Sequence, residues 1–369
     1  MIHVWLAALA AVIAVGSATP ARAGDAENCK NAEALLKSNP KKAVSACTRL
    51  ADHGEAWAQL NLARMYDEGN GVSQDYAVAA KWYHKAAEQG DAEAQYNLFA
   101  MYHFGQGVKQ DDEQALKWLQ KAADQKLSEA QRGLGLLYRD GRGGVSQDYG
   151  VAMTWFKKAA EQGNPAAQSN LGQMYADGQG VPKDDSEALK WYRKAAAQGE
   201  VTAQYNIGQR YDDGSGVPKD DAEAVKWYRK AAEQGYAPAQ LNLGVMYHDA
   251  EGVPQDYAEA AKWYSRAADQ GTAGAQFNLG VVYYLGQGVQ RDLVKAEMWS
   301  ILAAEASPPG QHRDNALRNC EVMAREMTPA QLAEAQRLAR EWRPHPIEVF
   351  SLHLPAAGTA DGSATEPTP

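Results

Sequence analysis

Tryptophan recurs at a nearly fixed interval through most of this chain. The spacings between successive copies are 36, 37, 36, 36, 36 and 36 residues. The copies are Trp82, Trp118, Trp155, Trp191, Trp227, Trp263 and Trp299. A period between about 20 and 50 residues is typical of arrays whose units share one continuous core. The spacing therefore predicts a stack of seven units rather than a few separate globular domains.

Each unit contains two segments of helical period. In the first segment, apolar residues stand at i, i+4, i+7 and i+8 on one face, as in Ala167, Leu171, Met174 and Tyr175. A Gly-x-Gly-Val loop follows, and its first Gly is predicted to be a left-handed helix cap. In the second segment, the aromatic pair Trp82 and Tyr83 lies on a face otherwise made of alanine. These large side chains are predicted to pack against Gly and Ala of a neighbouring helix.

An aspartate precedes the second helix of every unit. Its seven copies are Asp75, Asp111, Asp148, Asp184, Asp220, Asp256 and Asp292. An acidic residue at this place is typical of an N-cap, which makes these carboxylates structural rather than catalytic. A glutamate stands three residues after three of them, at Glu187, Glu223 and Glu259, and this spacing predicts capping boxes.

The predicted organisation has five parts. Residues 1–23 form a signal peptide, 24–54 an N-terminal helical cap that is half a repeat, and 55–306 seven repeats. Residues 307–343 form a C-terminal helical cap, in which Thr328 is an N-cap followed by Pro329. Residues 344–369 are rich in Pro, Gly, Ala, Ser and Thr and are expected to be a disordered tail.

The first 23 residues have the pattern of an export signal. A short apolar run from Val4 to Val15 is followed by Ala21-Arg22-Ala23, which predicts cleavage after Ala23. The alternative is an uncleaved apolar anchor, although the run is shorter than a membrane span. We expect a periplasmic or secreted protein with no membrane span after cleavage. In an oxidising compartment Cys29 and Cys47 are candidates for a disulfide, and two buried thiols are the alternative.

The repeat as a whole resembles a known family. Its consensus Ala-x-x-x-Leu-Gly-x-x-Tyr-x-x-Gly-x-Gly-Val-x-x-Asp-x-x-x-Ala-x-x-Trp-Tyr-x-x-Ala-Ala-x-x-Gly is similar to the SEL-one-like repeat, a relative of the tetratricopeptide repeat. The resemblance covers about 43–306 and implies an all-α, right-handed α-solenoid used for protein interactions. Its bacterial members are often periplasmic and are linked to envelope signalling, polysaccharide export, motility or host contact.

Several function classes are disfavoured by the residues. A net charge of −9 without basic blocks argues against nucleic acid, and no metal-ligand or nucleotide motif predicts a cofactor. Some cysteine-rich relatives are described as β-lactam-binding or hydrolysing, which makes such a cell-wall activity the alternative function. Ser38-Asn39-Pro40-Lys41 does match Ser-x-x-Lys, but Pro40 places it at a helix boundary and its usual partner motifs are missing.

Two positions of the first helix, one turn apart, vary between units and form the candidate surface for a protein or peptide partner. The first helices line the concave face in the tetratricopeptide relatives, and their variable positions mix aromatic, aliphatic and arginine side chains, the usual types of interface hot spots. The candidate groove residues are Leu60, Arg64, Tyr96, Arg132, Tyr205, Gln209, Leu241 and Phe277. The alternative is that much of this row packs against the preceding unit. The sequence thus favours a non-enzymatic scaffold.

Overall fold

The computed structural model describes residues 20–345, and their regular structure is entirely α-helical. The chain divides into two compact bodies: unit 1 ends at Asn164, and unit 2 begins at Pro165. From here on, unit refers to one of these two bodies, and each helix pair of the array is called a repeat. Unit 1 contains α1 (Pro20–Lys30), α2 (Ala32–Ser38), α3 (Pro40–Asp52), α4 (Ala56–Glu68), α5 (Tyr76–Glu88), α6 (Ala92–Phe104), α7 (Asp112–Asp124), α8 (Ser128–Asp140) and α9 (Tyr149–Glu161). Unit 2 contains α10 (Pro165–Asp177), α11 (Asp185–Ala196), α12 (Val201–Asp213), α13 (Asp221–Glu233), α14 (Ala237–Asp249), α15 (Tyr257–Asp269), α16 (Ala273–Leu285), α17 (Leu293–Ala306), α18 (Gln311–Ala324) and α19 (Pro329–Glu341).

From α4 to α17 the helices form seven antiparallel pairs, three in unit 1 and four in unit 2. Each even-numbered member, the A helix, packs closely on the odd-numbered B helix that follows it, and each B helix also packs on the next A helix of its unit. This arrangement is an all-α solenoid, as the sequence predicted.

The aspartate caps begin the B helices as predicted. Each accepts a hydrogen bond from a backbone N–H of the first turn, as Asp184 does from Glu187 at 2.9 Å. The prediction of capping boxes at these positions was wrong. Instead of returning to the cap, the carboxylates of Glu187, Glu223 and Glu259 each accept from a lysine three residues later at 2.8 Å. A complete capping box is present at Thr328 and Gln331 in α19.

In repeats three to six, the helices of a pair approach closely because the A helix carries a glycine opposite a B-helix ring. A Cβ placed on Gly208 would lie 2.6 Å from the Tyr228 ring, and one on Gly244 would lie 2.6 Å from Tyr264. Real Cβ atoms do not come this close, so the ring fills the space that a larger residue would need. The predicted packing against glycine is therefore confirmed for the tyrosine position of these repeats.

The loops between A and B helices bring successive repeats together. The first loop Gly ends the A helix in the left-handed conformation, as Gly214 does with φ 71°. The second loop Gly lies against the start of the preceding B helix: a Cβ on Gly216 would be 2.8 Å from the Asp185 backbone. Both positions have the positive φ that favours glycine, although Ala250 adopts it at the first position of the sixth repeat, and the second position also needs glycine for close approach.

Glutamine amides connect neighbouring helices along each unit. Gln59 is buried on α4 and donates to the backbone carbonyl of Ala51 at 3.1 Å, while its own side-chain oxygen accepts from Gln89 at 2.8 Å. The same amide-to-amide bond recurs in five further repeats, at 2.7–2.9 Å. In the seventh repeat the donor position is Ala306, and the buried oxygen of Gln276 has no partner among the described residues. The series of glutamine amide-to-amide hydrogen bonds therefore ends with the sixth repeat.

The helices outside the seven pairs cover the two ends of the array. In unit 1, α3 packs on α4 as a B helix would, and a disulfide joins Cys47 of α3 to Cys29 of α1. In unit 2, Trp342 after α19 packs edge-on against Trp299 of α17, with ring centroids 6.0 Å apart. The predicted cleavage position after Ala23 falls within α1. Most of the predicted signal peptide, 1–19, and most of the predicted tail, 346–369, lie outside the described residues.

The last repeat contains a buried carboxylate where other repeats are apolar. Glu297 is 3% exposed, and one of its oxygens lacks a hydrogen-bond partner. The equivalent residues in the other repeats are Ala80, Leu116, Met153, Leu189, Val225 and Ala261. Burial raises the pKa of Glu297, although the neighbouring thiol of Cys320 opposes that rise. Burial, together with the Glu297 carboxylate, raises the pKa of the Cys320 thiol to about 12.

We expect Glu297→Gln to change the pH dependence of stability. Because the folded-state pKa lies above the unfolded-state value, the unfolded chain ionises first as pH rises, and stability falls until the folded-state pKa is passed. The Glu297→Gln variant has no carboxyl group at this position, so its stability should not fall in this way as pH rises. Its melting temperature should exceed that of the unmodified protein at neutral pH and match it below about pH 4, where the carboxyl is protonated in both states. Glu305→Gln, an exposed change on the same helix, is the control, and equal effects of the two changes would contradict the assignment.

Candidate partner-binding surface

The eight candidate groove residues lie on A helices, but they differ in exposure. Leu60 and Tyr96 are each only 7% exposed. Leu60 packs in a core cluster with Tyr83 and Leu98, so it joins the first repeat to the second. The Tyr96 ring lies beside α8 of the third repeat, where a Cβ on Gly133 would be 3.8 Å from it. Both side chains are therefore part of the packing between repeats, the alternative that the sequence had left open.

The two arginines of unit 1 are partly exposed and already engaged. Arg64 of α4 forms an ion pair with Glu93 of α6. Arg132 of α8 lies beside the Tyr96 hydroxyl, where its charge opposes the rise in the pKa of Tyr96 that burial causes. The candidate groove residues of unit 1 thus consist of buried apolar side chains and of arginines that neighbouring helices hold, and they leave little apolar surface exposed.

Unit 2 presents a different surface. Tyr205, Gln209, Leu241 and Phe277 are all half-buried and lie at equivalent or adjacent positions of α12, α14 and α16. We call these four residues the partner row. Each keeps part of its side chain accessible while the rest packs against its neighbours.

Internal contacts hold the partner row in place. The Tyr205 ring lies 5.6 Å from Tyr228 and 5.2 Å, edge-on, from Tyr236. Burial raises the pKa of Tyr205, which is therefore a neutral donor near pH 7. Leu241 packs beside Gly274 of the next A helix, and Phe277 packs against Ala303 and Ala316. Because the side chains are fixed before binding, a partner would lose less entropy on docking.

Sequence reasoning missed one member of this surface. Tyr236, the residue before α14, contacts Tyr205 edge-on and is half-buried, and burial raises its pKa. Its equivalents in the other six repeats are Glu55, Asp91, Leu127, Asn164, Glu200 and Thr272. The position varies between repeats as strongly as the candidate row does, so the same criterion applied to the turns would have found it.

The described residues lend no geometric support to catalysis at Ser38. Ser38 is the last residue of α2 and Lys41 lies in α3, with the extended Asn39 between the two helices. The one-turn spacing on a single helix that the Ser-x-x-Lys motif requires is thus not formed. Within residues 20–345, no group of three His, Cys, Asp or Glu side chains is placed to hold a metal ion, and no helix has the length and apolarity of a membrane span.

The repeats match one family model along most of the array. The Sel1 repeat model, which describes the SEL-one-like repeat, matches seven consecutive segments, at 58–91, 92–127, 128–164, 165–200, 201–236, 237–272 and 273–308. The chain belongs to the Sel1 repeat family. No curated protein matches the chain as a whole.

Two solved structures resemble this Sel1 repeat protein at more than 30% identity. A Sel1 repeat protein from Oxalobacter formigenes is 35% identical with a TM-score of 0.62, and the match covers 81% of this chain and 88% of that one. The protein c5321 is described as a protective antigen of uropathogenic Escherichia coli with an SLR fold. It is 31% identical with a TM-score of 0.51, and the match covers 89% of this chain and 77% of that one. Sel1 repeat folds generally serve as scaffolds for protein interactions.

The candidate groove residues differ in burial, so their substitution should lower the stability of the protein by different amounts. Tyr96→Ala removes a large buried side chain and should lower the free energy of unfolding by about 3 to 5 kcal/mol. Gln209→Ala, at a half-buried position of the partner row, should change it by less than about 0.5 kcal/mol. Urea unfolding followed by far-UV circular dichroism measures both. Similar losses in the two variants would contradict the assignment of Tyr96 to the core and Gln209 to the surface.

Proposed function

We propose that this Sel1 repeat protein is a non-enzymatic adaptor of the cell envelope that binds a protein partner through the partner row of unit 2. The observation that carries the proposal is the pre-packed, partly exposed set of Tyr205, Gln209, Leu241 and Phe277. Aromatic anchors next to a polar side chain are typical of interface hot spots. The family adds support, since its fold generally serves protein interaction.

An exported location is part of the proposal. It is supported by the sequence pattern at 1–23 and by the disulfide between Cys29 and Cys47, because disulfides persist mainly in oxidising compartments. The Escherichia coli relative is described as a protective antigen, which agrees with a role at the bacterial envelope. We place the adaptor in a signalling, export or host-contact pathway of the envelope.

Affinity capture from an envelope extract tests the proposal. Three baits are compared: the unmodified protein, a row variant with Gln209→Arg and Phe277→Ser, and a control with Lys194→Glu and Lys230→Glu on the B helices of the same unit. All three should show equal helicity and similar melting temperatures. We expect a protein that the unmodified protein and the control retain and the row variant loses, because a charge introduced at Gln209 and the loss of the Phe277 ring remove the anchor.

Two outcomes would contradict this function. Retention of the same protein by all three baits would place the interface away from the partner row. Failure of every bait to retain any protein, while the proteins remain folded, would argue against an adaptor role.

A further inference from the structure

A cleft opens in unit 1 between α5 and the turn that joins α6 to α7. Its volume is about 520 Å³, within the range of about 300 to 1,000 Å³ common for ligand pockets. Its walls are mainly apolar and aromatic, and basic side chains lie at its rim. The lining residues are Ala77, Ala80, Leu98, Tyr102, Gly107, Val108 and Trp82, with Lys81, His84 and Lys85. We call this feature the Lys–Trp cleft.

Small residues leave the space. Ala80 lies in the floor of the cleft, whereas the equivalent residues of the second and fourth repeats are Leu116 and Leu189. Both leucines lie on B helices that pack in the same manner as α5. A leucine is therefore compatible with this position of the repeat, and the smaller alanine leaves space in the floor of the cleft; the sixth repeat also has alanine here, at Ala261.

The lysines of the cleft lack acidic partners. Among the described residues, no carboxylate lies within 4 Å of Lys81 or Lys85, and the Lys85 ammonium lies 4.0 Å from the centre of the Trp82 ring. In unit 2 the equivalents of Lys81 are Lys190, Lys226 and Lys262, and a glutamate three residues earlier binds each of them at 2.8 Å. At the glutamate position, unit 1 has Val78 and Gln114 in its first two repeats. The charge at the Lys81 position is thus neutralised by a glutamate in these three repeats of unit 2 and left without one at the cleft, whereas Lys85 and its equivalents Lys194 and Lys230 all lie over a tryptophan ring.

The basic surface continues onto the neighbouring B helix. Lys121 of α7 lies 4.1 Å above the Trp118 ring, and His84 contacts the edge of that ring with centroids 5.5 Å apart. Two acidic groups near the cleft are already engaged: Glu88 lies 3.5 Å from His84, and Asp111 caps α7 by accepting from the backbone of Gln114. A chain of net charge −9 therefore carries a local cationic surface around an apolar cleft.

We propose that the Lys–Trp cleft binds an acidic segment of a partner protein. One aliphatic or aromatic side chain of that segment enters the apolar floor beside Ala80 and Val108, and flanking carboxylates pair with Lys81 and Lys85. This surface lies on a B helix of unit 1 and is separate from the partner row, so it goes beyond the proposed function. A partner of opposite charge also associates faster, because free lysines steer its approach.

The chemistry of the cleft favours a peptide over other anions. A sugar ring stacks on an open aromatic face, but Lys85 already covers one face of Trp82. A phosphate backbone requires a long basic surface, and an acidic chain with a single basic cleft does not supply one. An acidic peptide with one large apolar residue matches both the floor and the rim.

Selection from a library of random dodecapeptides displayed on phage tests the proposal. Enriched peptides are synthesised, and their affinities are measured for the purified protein and three variants. In the first variant, Lys81→Glu and Lys85→Glu reverse the charge of the rim. In the second, Ala80→Leu fills the floor with the side chain that the second repeat carries. In the third, Lys190→Glu and Lys194→Glu make the same charge reversal in unit 2 as a matched control.

We expect enrichment of acidic peptides that contain a large apolar residue. Their affinity should fall by about tenfold or more with the rim and floor variants, change little with the control, and weaken at high ionic strength. Tyr205→Ala in the partner row should leave it unchanged, which separates this proposal from the proposed function.

Three results would overturn the proposal. The first is the absence of acidic peptides among those enriched. The second is full affinity in folded Ala80→Leu, which would leave the cleft without a role. The third is selection of no peptide together with binding of polygalacturonate that Ala80→Leu abolishes, which would assign the cleft to an acidic glycan.

Discussion

The close packing of each A helix on the B helix that follows it is the contact on which the rest of this fold depends. In repeats three to six this packing places a B-helix ring against a glycine, and the rings of Tyr192, Tyr228 and Tyr264 come within 2.6–2.8 Å of where a Cβ of the facing glycine would be. The pair is the structure that the array repeats. The loop glycine then reaches the preceding B helix, and the buried glutamine reaches the next amide. A repeat protein gains stability mainly from such nearest-neighbour interfaces.

Much of this architecture is local in origin and could be predicted from the sequence. The aspartate caps, the glycine caps and the apolar faces depend on residues a few positions apart, so their patterns are sufficient to place the helices. The hydrogen-bond partners of Glu187, Glu223 and Glu259 could not be predicted from such local patterns. The backbone N–H of each cap residue already donates to a tyrosine carbonyl of the preceding A helix at 2.9–3.0 Å, and a lysine three residues after each glutamate binds its carboxylate.

The candidate surface was harder to predict because exposure depends on the neighbouring repeat. Leu60 and Tyr205 hold the same repeat position, yet Leu60 is buried and Tyr205 is half-buried. The difference arises from what lies opposite each side chain, which the repeat pattern does not contain. Tyr236 was missed for the same reason, because this turn residue contributes to the surface through its contact with Tyr205 of the preceding A helix.

The fold by itself does not determine a partner, and the positions that depart from the repeat carry the functional argument. In unit 2 these positions provide an apolar and aromatic partner row on the A helices. In unit 1 they provide a cationic cleft on a B helix, because alanine replaces a larger residue and the neutralising glutamates are missing. A regular array can thus present two chemically distinct surfaces while its core remains uniform.

The most direct test of the central claim is photo-cross-linking in living cells. A benzoylphenylalanine residue is placed at Gln209 in the partner row or at Lys194 on the B helix of the same unit. If the partner row is the working surface, irradiation should link one protein to the first version and leave the second without that adduct. Equal adducts at both positions, or an adduct at Lys194 alone, would contradict the claim.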